Sequence, residues 1–129
     1  MTQEVPLVFL HPFGGTMRAW DTQRDFFEMH GRRVIIPEVR GHGQSTIFSN
    51  YQERECTLDE LAEDLNAVLD YCGIHQNEQI DLVGASMGGM IAIRYAVRKP
   101  AIDNNRTVRK MVLVGSYAGE IPEDKKKGF

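Results

Sequence analysis

The chain has 129 residues, a formal net charge of −3, 42% hydrophobic residues and 26% charged residues. That length gives room for one core and one domain, since folded domains commonly run to about 100–150 residues. The weak acidic balance supplies no broad positive field for nucleic acid or anionic lipid, so neither is expected as a partner.

The first element is the apolar run at residues 6–10, "PLVFL", read as a strand. It is too short for a signal peptide or a membrane span and has no basic leader, so a cytoplasmic location is expected. A glycine-bearing loop, "HPFGG", follows, and then a helix capped by Thr16 that carries Met17, Trp20 and Phe27 on one side. Gly31 closes that helix, "RRVIIP" is a second strand ending at Pro37, and "EVRGHGQS" is a turn-rich loop.

The strongest helix signal begins at Thr57, where "TLDE" forms a capping box with Glu60. Leu58, Leu61, Ala62, Leu65, Val68, Leu69 and Cys72 share one face, and Gly73 stops the helix. "QIDLVG" is a third strand, "MGGMIAIRYAVRK" a helix ended by Pro100, and "RKMVLVG" a fourth strand. Strand and helix alternate, and the strands are continuously apolar, which predicts an α/β fold of about four parallel strands with helices on both faces. The domain is expected over residues 1–119, with 120–129 a polar tail. Cys56 and Cys72 sit in no metal-ligand or redox spacing, so both read as reduced thiols and no metal or other cofactor is expected.

Chemistry concentrates at "VGASMGGM". Gly84, Ser86 and Gly88 satisfy GxSxG directly between a predicted strand and a predicted helix, the context in which the pattern is a nucleophile elbow. Small residues are needed there because the turn is sharp and the backbone approaches closely. The N–H of Met87, at the start of the helix, points at the spot where a negative oxygen would develop. The first strand ends in "HPFGG" at the same end of the sheet, and because Pro12 has no N–H, Phe13 is the natural second backbone donor. Each of these two stretches can also be an ordinary strand-to-helix turn. Phe13, Met87 and Met90 are either ordinary core or the lining of an apolar pocket. Phosphate-binding readings are weak: "GASMGG" lacks the lysine of a P-loop, and neither it nor "GHGQST" completes GxGxxG.

Four blocks in order, "LVFLHPFGGTMRAW", "VIIPEVRGHGQS", "VGASMGGMIAIRYA" and "VRKMVLVGSYAG", resemble the first half of an α/β-hydrolase of the serine esterase and lipase superfamily. The resemblance covers residues 5 to about 119. It implies that the second strand lies outside the first and that the third and fourth lie on the other side. It further implies Ser86 as nucleophile, Phe13 and Met87 as oxyanion donors, Gly84 and Gly88 as elbow glycines, and a small acyl or ester substrate. Arg40, Gly41, His42 and Gly43 match a mainly structural loop of the family, with Glu38 where it usually has aspartate.

The family's acid and histidine follow the nucleophile in the chain, yet His11, His30, His42 and His75 all precede Ser86. Glu120, Glu123 and Asp124 are weak candidates for the acid. His11 either braces the loop or bonds Ser86; His42 stands in a turn, and His30 and His75 read as solvent-facing. The lysine run at 125–127 is compatible with a reading-frame slip, so a fragment or interrupted product is expected, with a hydrophobic fourth-strand edge open to a partner chain or to self-association. The functional expectation is a serine hydrolase lacking its acid and base within these residues; the alternative is a non-catalytic remnant or binding module of the same fold.

Overall fold

In the computed structural model, which describes residues 4–40, 57–74, 78–97 and 106–116, four strands form one parallel sheet. β1 (Leu7–Leu10) is flanked by β2 (Val34–Ile35) on one side and β3 (Gln79–Ala85) on the other, and β4 (Thr107–Val114) lies beyond β3. The spatial order β2-β1-β3-β4 matches the expectation. It also means that the chain leaves β1 in one direction and later returns to its other side. Loops diverge at such a switch point, and the crevice they leave beyond the strand ends is where open α/β sheets hold their ligands.

Side chains alternate across each strand; both faces of β1 are covered, whereas β4 is largely exposed. Val8, Leu10, Ile80 and Leu82 point to one face and pack with Leu61, Leu65 and Leu69 of α2 (Leu58–Tyr71) and Ile91 and Tyr95 of α3 (Met87–Val97). Phe9 points the other way, with its ring 5.0 Å from that of Trp20 and 6.2 Å from that of Phe27 on α1 (Asp21–Met29). The N-cap half of the capping box is realised at Thr57, whose hydroxyl accepts the Glu60 N–H at 3.1 Å, and Gly73 closes α2 at φ 78°.

Three elements differ in detail from their sequence reading. The first helix is not continuous: Met17–Trp20 form a 3₁₀ turn capped by the Thr16 hydroxyl, and α1 begins only at Asp21. Trp20 leaves α geometry at φ −109° and ψ 13° as its ring seats on Phe9, and Met17 turns outward instead of joining that contact. β2 pairs only through Val34 and Ile35 and stops short of Pro37, which has no N–H to extend the ladder. β4 begins earlier, at Thr107, and carries a bulge: Ile80 pairs with Val108, but Asp81 pairs with Lys110. Arg109 is the extra residue. It turns its guanidinium onto Asp81, at 2.6 and 3.0 Å, while Val108 and Met111 keep facing the core.

The helix stop at Pro100, His42, His75, Cys56 and the tail from 120 lie outside the described residues. Cys72 is a free thiol. Among the described residues no helix is long and apolar enough to cross a membrane.

Candidate active site

β3 ends at Ala85 and α3 begins at Met87, so Ser86 occupies the corner between them. At φ 52° it is the one non-glycine residue of positive φ among the described residues. A side chain in that conformation costs about 1–2 kcal/mol, so its surroundings must hold it there. The Ser86 N–H donates to the Val114 carbonyl at 2.8 Å, and its own carbonyl accepts from the Met90 N–H at 3.2 Å and from the Ser116 hydroxyl at 3.0 Å. Its backbone is fully engaged, whereas its hydroxyl has no hydrogen-bond partner among the described residues.

The glycines explain how the corner closes. A Cβ on Gly84 would lie 2.5 Å from the Gly89 nitrogen, and one on Gly88 would overlap the Leu10 carbonyl and lie 2.8 Å from the His11 oxygen. The backbone at the end of β1 therefore touches the first turn of α3. This contact brings the "HPFGG" turn beside the elbow. The turn is closed by Gly15 N–H donating to Pro12 O at 3.0 Å, with Gly14 at φ 78°. Phe13 is 51% exposed at its tip, while Met87 and Met90 are buried. Met87 is in the first turn of α3, where backbone N–H groups have no helical acceptor and the helix dipole favours negative charge.

His11 is fully buried. The Val39 N–H donates to its Nε2 at 2.9 Å, so the proton is on Nδ1, which donates to the Pro12 carbonyl at 2.9 Å. Both ring nitrogens thus brace the loop between β1 and the segment after β2. His30 is exposed at the end of α1, with Nδ1 2.7 Å from the Phe26 carbonyl. Arg40 forks onto Asp64 of α2 at 2.6 and 2.7 Å and reaches Glu60 at 3.4 Å, a structural tie for the start of its loop. An apolar cleft lined by Leu10, Val39, Leu61, Leu65, Val68 and Ile91 does not include Ser86 or Phe13 in its walls. Among the described residues no group of three His, Cys, Asp or Glu side chains is placed to hold a metal ion.

Three residues escaped the sequence reading. Asp81 is buried on β3 between Arg32 at 3.2 Å and Arg109 at 2.6 Å; a lone carboxylate inside the apolar run "QIDLVG" was the signal for it. Burial pushes its carboxyl up, but Arg109 and Arg32 outweigh burial and hold it below the ordinary carboxylate value. Arg106 is fully buried, bonding the Ile74 carbonyl at 2.8 and 3.0 Å, Asn66 at 2.6 Å and Asp70. Ser116 reaches the Ser86 carbonyl across 30 residues of chain. Neither of these last two had a local sequence signal.

A parallel sheet with this strand order, helices on both faces and a serine corner after the third strand is the architecture of the alpha/beta hydrolase fold. The chain matches the model of that family over residues 5–129 and belongs to it. It is 34% identical over 120 residues to 2-hydroxymuconate semialdehyde hydrolase of Pseudomonas sp. strain CF600, an alignment covering 91% of this chain and 38% of that protein. It is 33% identical over 116 residues to a bifunctional esterase/perhydrolase of Acinetobacter calcoaceticus, covering 88% of this chain and again 38% of the relative. The chain therefore spans well under half the length of these relatives. Among solved structures, a probable hydrolytic enzyme from Pseudomonas aeruginosa PAO1 superposes with a TM-score of 0.72 at 28% identity, over 87% of this chain and 32% of that one. A mutant of potato epoxide hydrolase shares the fold, with a TM-score of 0.77 at 20% identity over 94% of this chain and 36% of that one.

Proposed function

We propose that this chain carries the nucleophile and oxyanion parts of a serine hydrolase acting on a carboxylic ester or a similar acyl compound. The observation that carries this reading is Ser86, held at φ 52° by its backbone while its hydroxyl has no hydrogen-bond partner among the described residues. A strained residue whose nucleophilic group has no partner among the described residues, at a sheet's switch point, is a poor choice for a plain turn. Relatives named a hydrolase and an esterase support a hydrolytic reaction.

In this reading the Ser86 oxygen attacks the acyl carbonyl carbon and its proton passes to a general base. The carbonyl oxygen becomes negative and is stabilised by the backbone N–H groups of Met87 and Phe13. Departure of the alcohol, protonated by the same base, leaves an acyl-enzyme, and water then releases the acid and restores Ser86. Among the described residues no histidine is placed to act as that base: both nitrogens of His11 are taken by backbone groups, and Nδ1 of His30, at the end of α1, lies against the Phe26 carbonyl. In this reading the acid and base stand outside the described residues. That same observation favours a second reading, a non-catalytic scaffold that retains the elbow.

A fluorophosphonate probe separates the two. One phosphonyl adduct per chain, mapped to Ser86 and absent from Ser86→Ala, is expected; labelling is slow because an elbow without its base retains roughly 10³–10⁴ of the rate enhancement over water. A folded chain that takes up no probe supports the scaffold instead.

A further inference from the structure

We propose that Ser116 is a positioning residue that acts on the Ser86–Met87 peptide group and strengthens the Met87 N–H as an oxyanion donor; this role rests on the reading of Ser86 as the nucleophile. The Ser116 hydroxyl has one proton to give. It lies 3.0 Å from the Ser86 carbonyl oxygen and 3.4 Å from that of Val114, so the shorter bond takes it. The Ser86 carbonyl and the Met87 N–H are two ends of one amide. A hydrogen bond accepted at the carbonyl draws electron density toward oxygen and makes the N–H at the other end a stronger donor. The helical bond that the same carbonyl accepts from Met90 is longer, at 3.2 Å, so Ser116 is its closer partner.

Gly89 is what allows this approach. It lies outside the GxSxG pattern, yet a Cβ there would overlap the Ser116 side chain. Together with the bond from Ser86 N–H to Val114 O at 2.8 Å, the Ser116 contact ties both backbone groups of Ser86 to the end of β4. The fourth strand thereby sets the corner from which the hydroxyl projects, across a separation in sequence that no local motif spans.

The test uses the full chain as wild type, Ser116→Ala and Ser116→Cys, with three readouts: melting temperature, the ¹H–¹⁵N shift of the Met87 amide, and the rate of fluorophosphonate labelling at Ser86. The cysteine variant keeps the bulk against Gly89 but offers only a weak donor, which separates packing from hydrogen bonding. Both variants are expected to melt close to wild type, to move the Met87 amide proton upfield, and to label about threefold to tenfold more slowly. A cysteine variant that labels at the wild-type rate, or an unmoved Met87 shift, overturns the role. So does loss of folding in both variants, which makes Ser116 structural. A wild-type chain that is not labelled takes down the nucleophile reading and this role with it, whereas labelled wild type with unaffected variants removes this role alone.

Discussion

An alanine at Gly88 would gain about 1 kcal/mol of helix propensity, yet its Cβ would overlap the Leu10 carbonyl and lie 2.8 Å from that of His11. Both obstacles are backbone, so relief requires moving the end of β1 away from α3. Gly31 presents the opposite case: its φ is 82°, and a Cβ there would meet nothing within 4 Å. Gly88→Ala should therefore cost about 3 kcal/mol in a urea titration and Gly31→Ala only about 1 kcal/mol. A Gly88 variant no less stable than the Gly31 variant would show that the end of β1 gives way to the added Cβ at little cost. The elbow was legible in sequence because its glycines and serine are neighbours. Gly89 was not assigned a purpose there, since the side chain it makes room for belongs to Ser116.

Pairing between elements rests on buried charges that reach across the sheet. Asp81 of β3 binds Arg32, just before β2, and Arg109, the bulged residue of β4, so one carboxylate joins three strands' worth of chain. Its carboxyl is held below the ordinary value of about 3.9, so the stabilisation is complete above that pH and is lost as pH falls through the lower folded value. Acid unfolding monitored by circular dichroism should therefore steepen below about pH 4 in wild type. Asp81→Asn should lose about 2 kcal/mol at pH 7 and show a flatter acid limb. An unchanged limb would assign the acid transition to other carboxylates.

Arg106 makes the corresponding tie on the other face, joining the start of β4 to α2 and to the turn at Ile74. Arg106→Met fills the volume but leaves the Ile74 carbonyl without these donors. About 3 kcal/mol should be lost, with faster amide exchange in the first half of β4 than in β1. Uniform acceleration across the sheet would mean that the residue supports global stability and not β4 docking. At this scale the existence and order of the elements were legible, because apolar runs, the Thr57 cap and the terminating glycines are local. The bulge and the break at Trp20 were not. Each is set by a contact with a residue distant in sequence, Asp81 in one case and Phe9 in the other.

At the scale of the sheet, β4 is the most exposed of the four described strands. Among the described residues β4 pairs with β3 alone, and Val112, Leu113 and Val114 are 53%, 42% and 53% exposed. An apolar strand paired on one side alone among the described residues is a template for another strand, and this is the surface we propose for self-association. A two-fold antiparallel pairing centred on Val112 sets Lys110 opposite Val114 and Arg109 opposite Gly115, so like charges do not meet across the seam. Wild type should therefore associate with rising concentration in sedimentation velocity, more strongly in sulfate, which favours apolar burial. Val112→Lys with Val114→Lys would bring lysines near those of the facing copy and should hold the chain monomeric, while changing stability by only about 0.5 kcal/mol per site. Association that persists in this double variant would move the contact to another face. A wild-type chain that stays monomeric at every concentration would overturn self-association through β4.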